Sequence, residues 1–159
     1  MVGQGLEGRE DVTEEYMRTA APGQGTITYE DGYDVPRHQQ EVNFSQWLHG
    51  TFGGDIKLLK EVNEDKVNTP DYLWREKLWD LKTATSEKSA NSAIRKGLKQ
   101  IFDNPGGIML DYRGREIDLS VLEETIRKRL WWFKEHPGLD VMIVLGDNDV
   151  RVWRYPEKK

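Results

Sequence analysis

The sequence contains no cysteine, which excludes a disulfide framework and every thiolate metal site. Its three histidines, His38, His49 and His136, are too far apart for a histidine metal motif. No stretch approaches the roughly 18 apolar residues of a membrane helix, and the N-terminus lacks the apolar run of a secretory signal. The glycine runs lack the spacing of a phosphate-binding loop. What is present is charge and aromatic bulk. Charged residues make up 32% of the 159, six residues are tryptophan, and mean hydropathy is -0.77. That composition builds one domain with a real core and a wet surface.

The net charge of -5 is unevenly spread. Residues 1–36 hold eight acids (Glu7, Glu10, Asp11, Glu14, Glu15, Glu30, Asp31, Asp34) against Arg9 and Arg18. The remainder is close to neutral, so the acidic whole does not exclude a nucleic-acid partner for residues 37–159. Residues 1–36, rich in glycine and poor in large apolar residues, read as an acidic, partly flexible lead-in. Residues 37–159 read as the functional domain.

Within that domain the pattern alternates. Residues 37–50 read as an amphipathic helix burying Val42, Phe44, Trp47 and Leu48, stopped by Gly53-Gly54. Residues 55–62 suit a strand, and residues 71–74 and 77–84 a hairpin. A helix over 86–102 buries Ile94, Leu98, Ile101 and Phe102 before Pro105-Gly106-Gly107 stops it. Residues 107–112 suit a buried strand. Ser120 and Glu123 have capping-box spacing for a helix burying Leu122 and Ile126. Strands at 140–145 and 150–155 close the chain. The order predicts an α/β fold with a mixed central sheet flanked by helices.

The hairpin carries the chemistry. A turn centred on Arg75-Glu76 pairs Trp74 with Lys77, Leu73 with Leu78 and Asp71 with Asp80. Opposed residues have Cβ atoms about 5 Å apart. Two carboxylates that close call for a positive group between them, and a hard divalent cation takes oxygen ligands. Lys82 lies two residues beyond Asp80 and shares its face, while Trp79 and Leu81 point to the other. Two carboxylates and an ammonium around one point equip a chain for metal-assisted phosphodiester hydrolysis. The metal activates a water, and Lys82 orients or deprotonates that water or stabilises the phosphate charge. The bland alternative is a hairpin whose acids and lysine serve solubility.

Pro70-Asp71 followed by Asp80-Leu81-Lys82 resembles the PD-(D/E)xK nuclease signature. The longer stretch Thr69-Pro-Asp-Tyr-Leu73 with Lys77-Leu-Trp-Asp-Leu-Lys82 is similar to the C-terminal tRNA-nuclease domains of CdiA-type contact-dependent inhibition toxins. Related domains also end phage-head and mobile-element proteins. The likeness runs from about residue 38 to 155 and includes Phe52-Gly-Gly-Asp-Ile-Lys-Leu-Leu59, Ile94-Arg-Lys-Gly-Leu-Lys-Gln100 and Ile108-Met-Leu-Asp-Tyr112. The resemblance implies a PD-(D/E)xK nuclease-like fold. It implies that Glu41, in His38-Gln-Gln-Glu41, joins Asp71 and Asp80 as a third metal ligand, with His38 one turn away. Family members often carry glycine in the hairpin turn, and Trp74-Arg-Glu-Lys77 departs from that, leaving the turn type open.

Residues 82–99 hold Lys82, Lys88, Arg95, Lys96 and Lys99 against Glu87 alone. Such a cationic face beside a metal site suits phosphate contact, with Lys88, Arg95 and Lys96 binding substrate; standing alone it would read as a solvated helix face. By resemblance Lys99 and Gln100 reach the active centre. Trp131-Trp132-Phe133 invites a base-stacking reading, although core packing explains such a run as well.

The reading that follows is a metal-dependent ribonuclease toxin domain cleaving tRNA. It would use Mg²⁺ or another divalent cation such as Mn²⁺ or Zn²⁺ and be blocked by a cognate immunity protein. Its place of action would be the cytoplasm of a target cell, and its parent a larger secreted or phage or mobile-element protein. A DNA endonuclease with the same site, and an inactive binding or structural module, are the alternatives.

Overall fold

The computed structural model describes residues 10–60, 70–100, 105–132 and 139–154. The elements run β1 (Glu10–Asp11), α1 (Thr13–Arg18), β2 (Ile27–Tyr29), a 3-10 turn (Pro36–His38), α2 (Gln39–Thr51), β3 (Ile56–Leu58) and β4 (Tyr72–Trp74). They continue with β5 (Lys77–Thr83), α3 (Ser89–Gln100), β6 (Pro105–Asp111), α4 (Leu119–Trp132), β7 (Asp140–Gly146) and β8 (Asp149–Arg154). All eight strands form one mixed sheet in the order β1-β8-β7-β6-β5-β4-β3-β2. At its centre β5, β6 and β7 run parallel. The α/β class expected from the sequence is the class observed.

Helices cover both faces. On one, Phe44 and Leu48 of α2 and Tyr16 of α1 pack with Phe52, Trp74 and Trp79. On the other, Ala90 and Ile94 of α3 and Leu122 and Ile126 of α4 pack on Ile108, Leu110 and Val141. The alternation of β5 decides which residue goes where. Trp79 and Leu81 join the first core and Leu78 the second, so Asp80 and Lys82 share the α3 side with Leu78.

Two close approaches fix β5 against β6. An added Cβ at Gly107 would lie 2.3 Å from Trp79 Cζ3, and one at Gly106 2.4 Å from Lys77 Cβ. Glycine is required at both because β5 and the Trp79 indole lie across this backbone. The pair therefore does more than stop the preceding helix.

The N-terminal part of the chain contributes to the same body. β1 pairs with β8, α1 buries Tyr16, and β2 runs parallel to β3. Arg154 ties this region down: its guanidinium reaches Glu15 Oε2 at 2.8 Å and Asp140 Oδ1 at 2.7 Å. The Tyr16 hydroxyl donates to the other oxygen of Asp140.

Two helix starts differ in detail from the sequence reading. Asp118, not Ser120, caps α4: its Oδ1 accepts the N–H of Ser120 at 3.0 Å and of Val121 at 3.3 Å. A carboxylate is the stronger acceptor, and Asp118 lies two residues earlier, directly before the first helical residue Leu119. α3 starts at Ser89 rather than Ser86, because each serine hydroxyl accepts the other's backbone N–H at 3.2 Å. This holds the chain in a turn until residue 89.

Candidate active site

The hairpin has the expected register. Tyr72 pairs with Trp79, Leu73 with Leu78 and Trp74 with Lys77. Its turn is Arg75-Glu76, both left-handed at φ 54° and 65°, the geometry of a type I′ turn. Neither residue is glycine, so the turn is strained and needs support. Arg75 supplies some, with its guanidinium over the Tyr16 and Trp74 rings and donating to Thr19 Oγ1 at 3.0 Å.

Asp71 immediately precedes β4. Its N–H donates to Trp79 O at 2.9 Å, and its Oδ2 accepts the Leu81 N–H at 2.7 Å. The carboxylate thus occupies the position a further β4 residue would have taken beside β5. Asp80 is only 2% exposed, and its carboxyl lies within hydrogen-bonding reach of that of Asp71. Lys82 Nζ stands 3.1 Å from Asp80 Oδ2, with 27% of the lysine side chain exposed. That ammonium stands as an ion-pair partner, and Asp80 Oδ2 has no aligned hydrogen-bond donor. A buried carboxylate oxygen with charge compensation but no aligned donor is unusual.

Glu41 enters from the first turn of α2. Its backbone carbonyl accepts the Tyr72 hydroxyl at 2.6 Å, which ties α2 to the hairpin. His38 Nδ1 lies 3.6 Å from its carboxylate. Gln40 adds a second tie by donating to Thr83 Oγ1 at the end of β5. The structure therefore brings Asp71, Asp80 and Lys82 together, with Glu41 close enough for its charge to act on both aspartates.

The electrostatics reflect crowding of one sign. Burial first, then the Asp80 charge, push the Asp71 carboxyl well above the ordinary carboxylate range, against the Leu81 N–H. Burial also raises Asp80, while Lys82 pulls it back. The Glu41 charge raises both. Together the pair holds a proton more tightly than separate aspartates would.

Among the described residues no group of three or more His, Asp or Glu is placed to hold a metal ion, so Glu41 does not join Asp71 and Asp80 as a three-carboxylate cluster. The donor set nevertheless fits a hard cation. Mg²⁺ is commonly held by one or two carboxylates, with waters and substrate phosphate completing its shell. Asp71 and Asp80 are such a pair, and Asp80 Oδ2, with only the Lys82 ammonium beside it and no aligned hydrogen bond, has acceptor capacity left for a cation.

Of the expected substrate contacts, Lys88, Arg95 and Lys96 are exposed, just before or on α3, while Ile94 is buried. The side chains of Lys99 and Gln100, at the end of α3, and of Trp131 and Trp132 lie outside the described residues, as does Phe133. Two residues near the site went unnoticed in the sequence, Asp111 and Arg113. Arg113 Nε and Nη2 bind the two oxygens of Asp111 at 2.9 and 3.0 Å. Their separation of two, at the end of an apolar strand, places both on one face and was a usable signal.

No family model and no curated protein sequence matches the chain. Among solved structures, one chain of a "CdiA-CT/CdiI toxin and immunity complex from Burkholderia pseudomallei" is similar. The match has 15% identity and a TM-score of 0.48, over 82% of this chain and 98% of that one. The similarity is distant and carries no weight for activity or partner. Among the described residues, no helix is long and apolar enough to cross a membrane.

Proposed function

We propose that the chain is a metal-dependent nuclease domain of toxin type that hydrolyses phosphodiester bonds in tRNA. The observation that carries the hydrolytic part is the Asp80 carboxylate. It is buried and shares its space with Asp71, and its Oδ2 has the Lys82 ammonium at 3.1 Å in place of an aligned hydrogen-bond donor. A merely structural aspartate at this depth would have its acceptors filled. The choice of tRNA and the toxin role rest on the resemblance of residues 69–82.

In this reading Asp71 and Asp80 hold Mg²⁺ or a similar ion, and the resemblance makes Glu41 the third carboxylate. When bound, such an ion supplies Lewis-acid charge at the phosphate. Lys82, partly exposed at the carboxyl end of β5, orients the attacking water and offsets charge developing on the phosphate oxygens. Burial of Asp80 strengthens these interactions by excluding water. Lys88, Arg95 and Lys96 hold flanking phosphates, and Lys99 and Gln100 position the scissile one. The target would be met in the cytoplasm of a recipient cell. A producing cell would carry an immunity protein with an acidic surface against the cationic cleft.

The test is cleavage of total tRNA by purified protein with Mg²⁺ or with chelator, beside Asp80→Ala and Lys82→Ala. The expected result is metal-dependent cleavage reduced at least about 100-fold in each folded variant. Cleavage of duplex DNA with tRNA left intact would keep the site and overturn the substrate. No cleavage of either with Mg²⁺, Mn²⁺ or Zn²⁺ would put an inactive binding module in its place.

A further inference from the structure

We infer that Arg113 is a phosphate-contacting residue of the proposed nuclease site, held ready for substrate by Asp111. The inference rests on the nuclease reading and adds to it a residue on a different strand.

The carboxyl ends of β5, β6 and β7 form one rim of the sheet, the edge at which open α/β sheets usually bind ligands. Lys82 and Thr83 end β5, Asp111 ends β6, and Gly146 ends β7. Thr83 is the register partner of Asp111, and Gln40 of α2 closes on Thr83. Lys82 approaches this rim from the α3 side. Arg113 approaches it from the α2 side, with its guanidinium 5.3 Å from the Phe44 ring centroid and 5.6 Å from that of Trp47. A polyanion crossing the rim would meet a cation from each face.

Arg113 is also fixed in advance. Asp111 occupies its Nε and Nη2 edge, and the two rings lie beneath the guanidinium plane. Nη1 remains, 3.9 Å from Asp147, whose side chain is 81% exposed and can swing away. With 27% of its side chain exposed, Arg113 offers a free guanidinium edge and loses little further freedom on binding. A rivet joining the β7–β8 turn to α2 would use Nη1 in a close, buried pair, and this one is long and open. Asp147 O already takes the Trp47 indole N–H at 3.1 Å, so that turn is tethered without Arg113.

The experiment uses the full chain with Asp80→Asn to prevent turnover. Binding of fluorescein-labelled tRNA is followed by anisotropy from 50 to 300 mM salt. Arg113→Met keeps the apolar stem over the rings and removes the charge, while Arg113→Lys keeps the charge and removes the fork. Thermal melts confirm folding. The expected result for Arg113→Met is about tenfold weaker binding, with the slope of log affinity against log salt reduced by about 0.7–0.9, one phosphate contact. Arg113→Lys restores the slope and only part of the affinity. An unchanged slope in Arg113→Met overturns the inference, and if wild type still cleaves, the nuclease reading survives. A slope that drops while wild type cleaves nothing keeps the contact and overturns hydrolysis. Absence of tRNA binding by any variant overturns the inference outright.

Discussion

Replacing Asp71 by asparagine should make the metal-free protein more stable at neutral pH. Burial, then the neighbouring Asp80 charge, raise the Asp71 carboxyl well above its ordinary value of 3.8. A carboxyl raised on folding binds its proton more tightly in the folded state. Its favourable contribution is complete below pH 3.8 and is lost as pH rises through the folded value. At pH 7 the chain must either keep Asp71 protonated or hold a second negative charge beside Asp80. The ceiling on that cost is the free energy of protonating an ordinary aspartate at pH 7, about 4 kcal/mol at about 1.4 kcal/mol per pH unit. Asp71 is partly exposed, so solvent screening reduces the figure, and about 1–3 kcal/mol is expected. Asparagine keeps an oxygen for the Leu81 N–H, now bonded at 2.7 Å. In a chain of this size each kcal/mol moves Tm by about 2–4 °C. The assay is thermal unfolding followed by circular dichroism in chelator from pH 4 to pH 8. The gap between Asp71→Asn and wild type should be widest at high pH and close towards pH 4. Mg²⁺ should narrow it at pH 7 by raising wild type alone. A variant less stable than wild type at pH 7, or a gap independent of pH, would refute the reasoning.

Two further outcomes concern the scaffold. Arg154→Met strands the buried Asp140 carboxylate with only the Tyr16 hydroxyl. It should cost about 3–5 kcal/mol in urea unfolding, most of it recovered by adding Asp140→Leu; an uncorrected double variant would show that the cost lies elsewhere. Glu76→Gly removes a side chain from a left-handed position at φ 65°. It should raise the denaturation midpoint by the equivalent of about 1 kcal/mol without changing the m-value, and a lowered midpoint would count against strain in the turn.

Those parts of the fold were legible in which neighbours in sequence are neighbours in space. The hairpin is the clearest case. A two-residue turn and a period of two determine that Asp80 and Lys82 share a face with Leu78 while Trp79 and Leu81 face α1 and α2. The placement of α2 was legible from Val42, Phe44 and Leu48, and the strand class of residues 107–112 from their apolar run. Residues 10–18 were not readable as part of the sheet. Their partners lie far along the chain: the Val152 N–H donates to Thr13 Oγ1 across 139 residues at 2.8 Å. Nor does any local pattern in Thr13–Arg18 announce that Tyr16 will be buried beside Trp74 and Trp79. The α4 cap was misplaced because Ser120 and Asp118 both satisfy the capping preference, and only the fold of residues 113–118 decides which oxygen reaches the free N–H groups.

Two aspartates in this chain are equally deep and opposite in character. Asp140 is 1% exposed and Asp80 2%. Asp140 receives Arg154 through two nitrogens and Tyr16 through its hydroxyl, so both oxygens accept hydrogen bonds and its charge is matched by a rigid fork. Asp80 has one ammonium 3.1 Å from Oδ2 without an aligned hydrogen bond there, and its other close partner is a second acid, the Asp71 carboxyl. Burial alone therefore cannot tell these two acids apart, because both have it. Completeness of hydrogen bonding does separate them. The strand that carries Asp140 also carries the parallel core, and any loss of its partners propagates into β8 and α1. The strand that carries Asp80 ends at the rim with Lys82 and Thr83, both of which keep exposed surface. Stability held in the Asp140 network offsets the cost of the crowded Asp71–Asp80 pair two strands away in the sheet, and under the proposed function that local frustration is where a cation and a phosphate would bind.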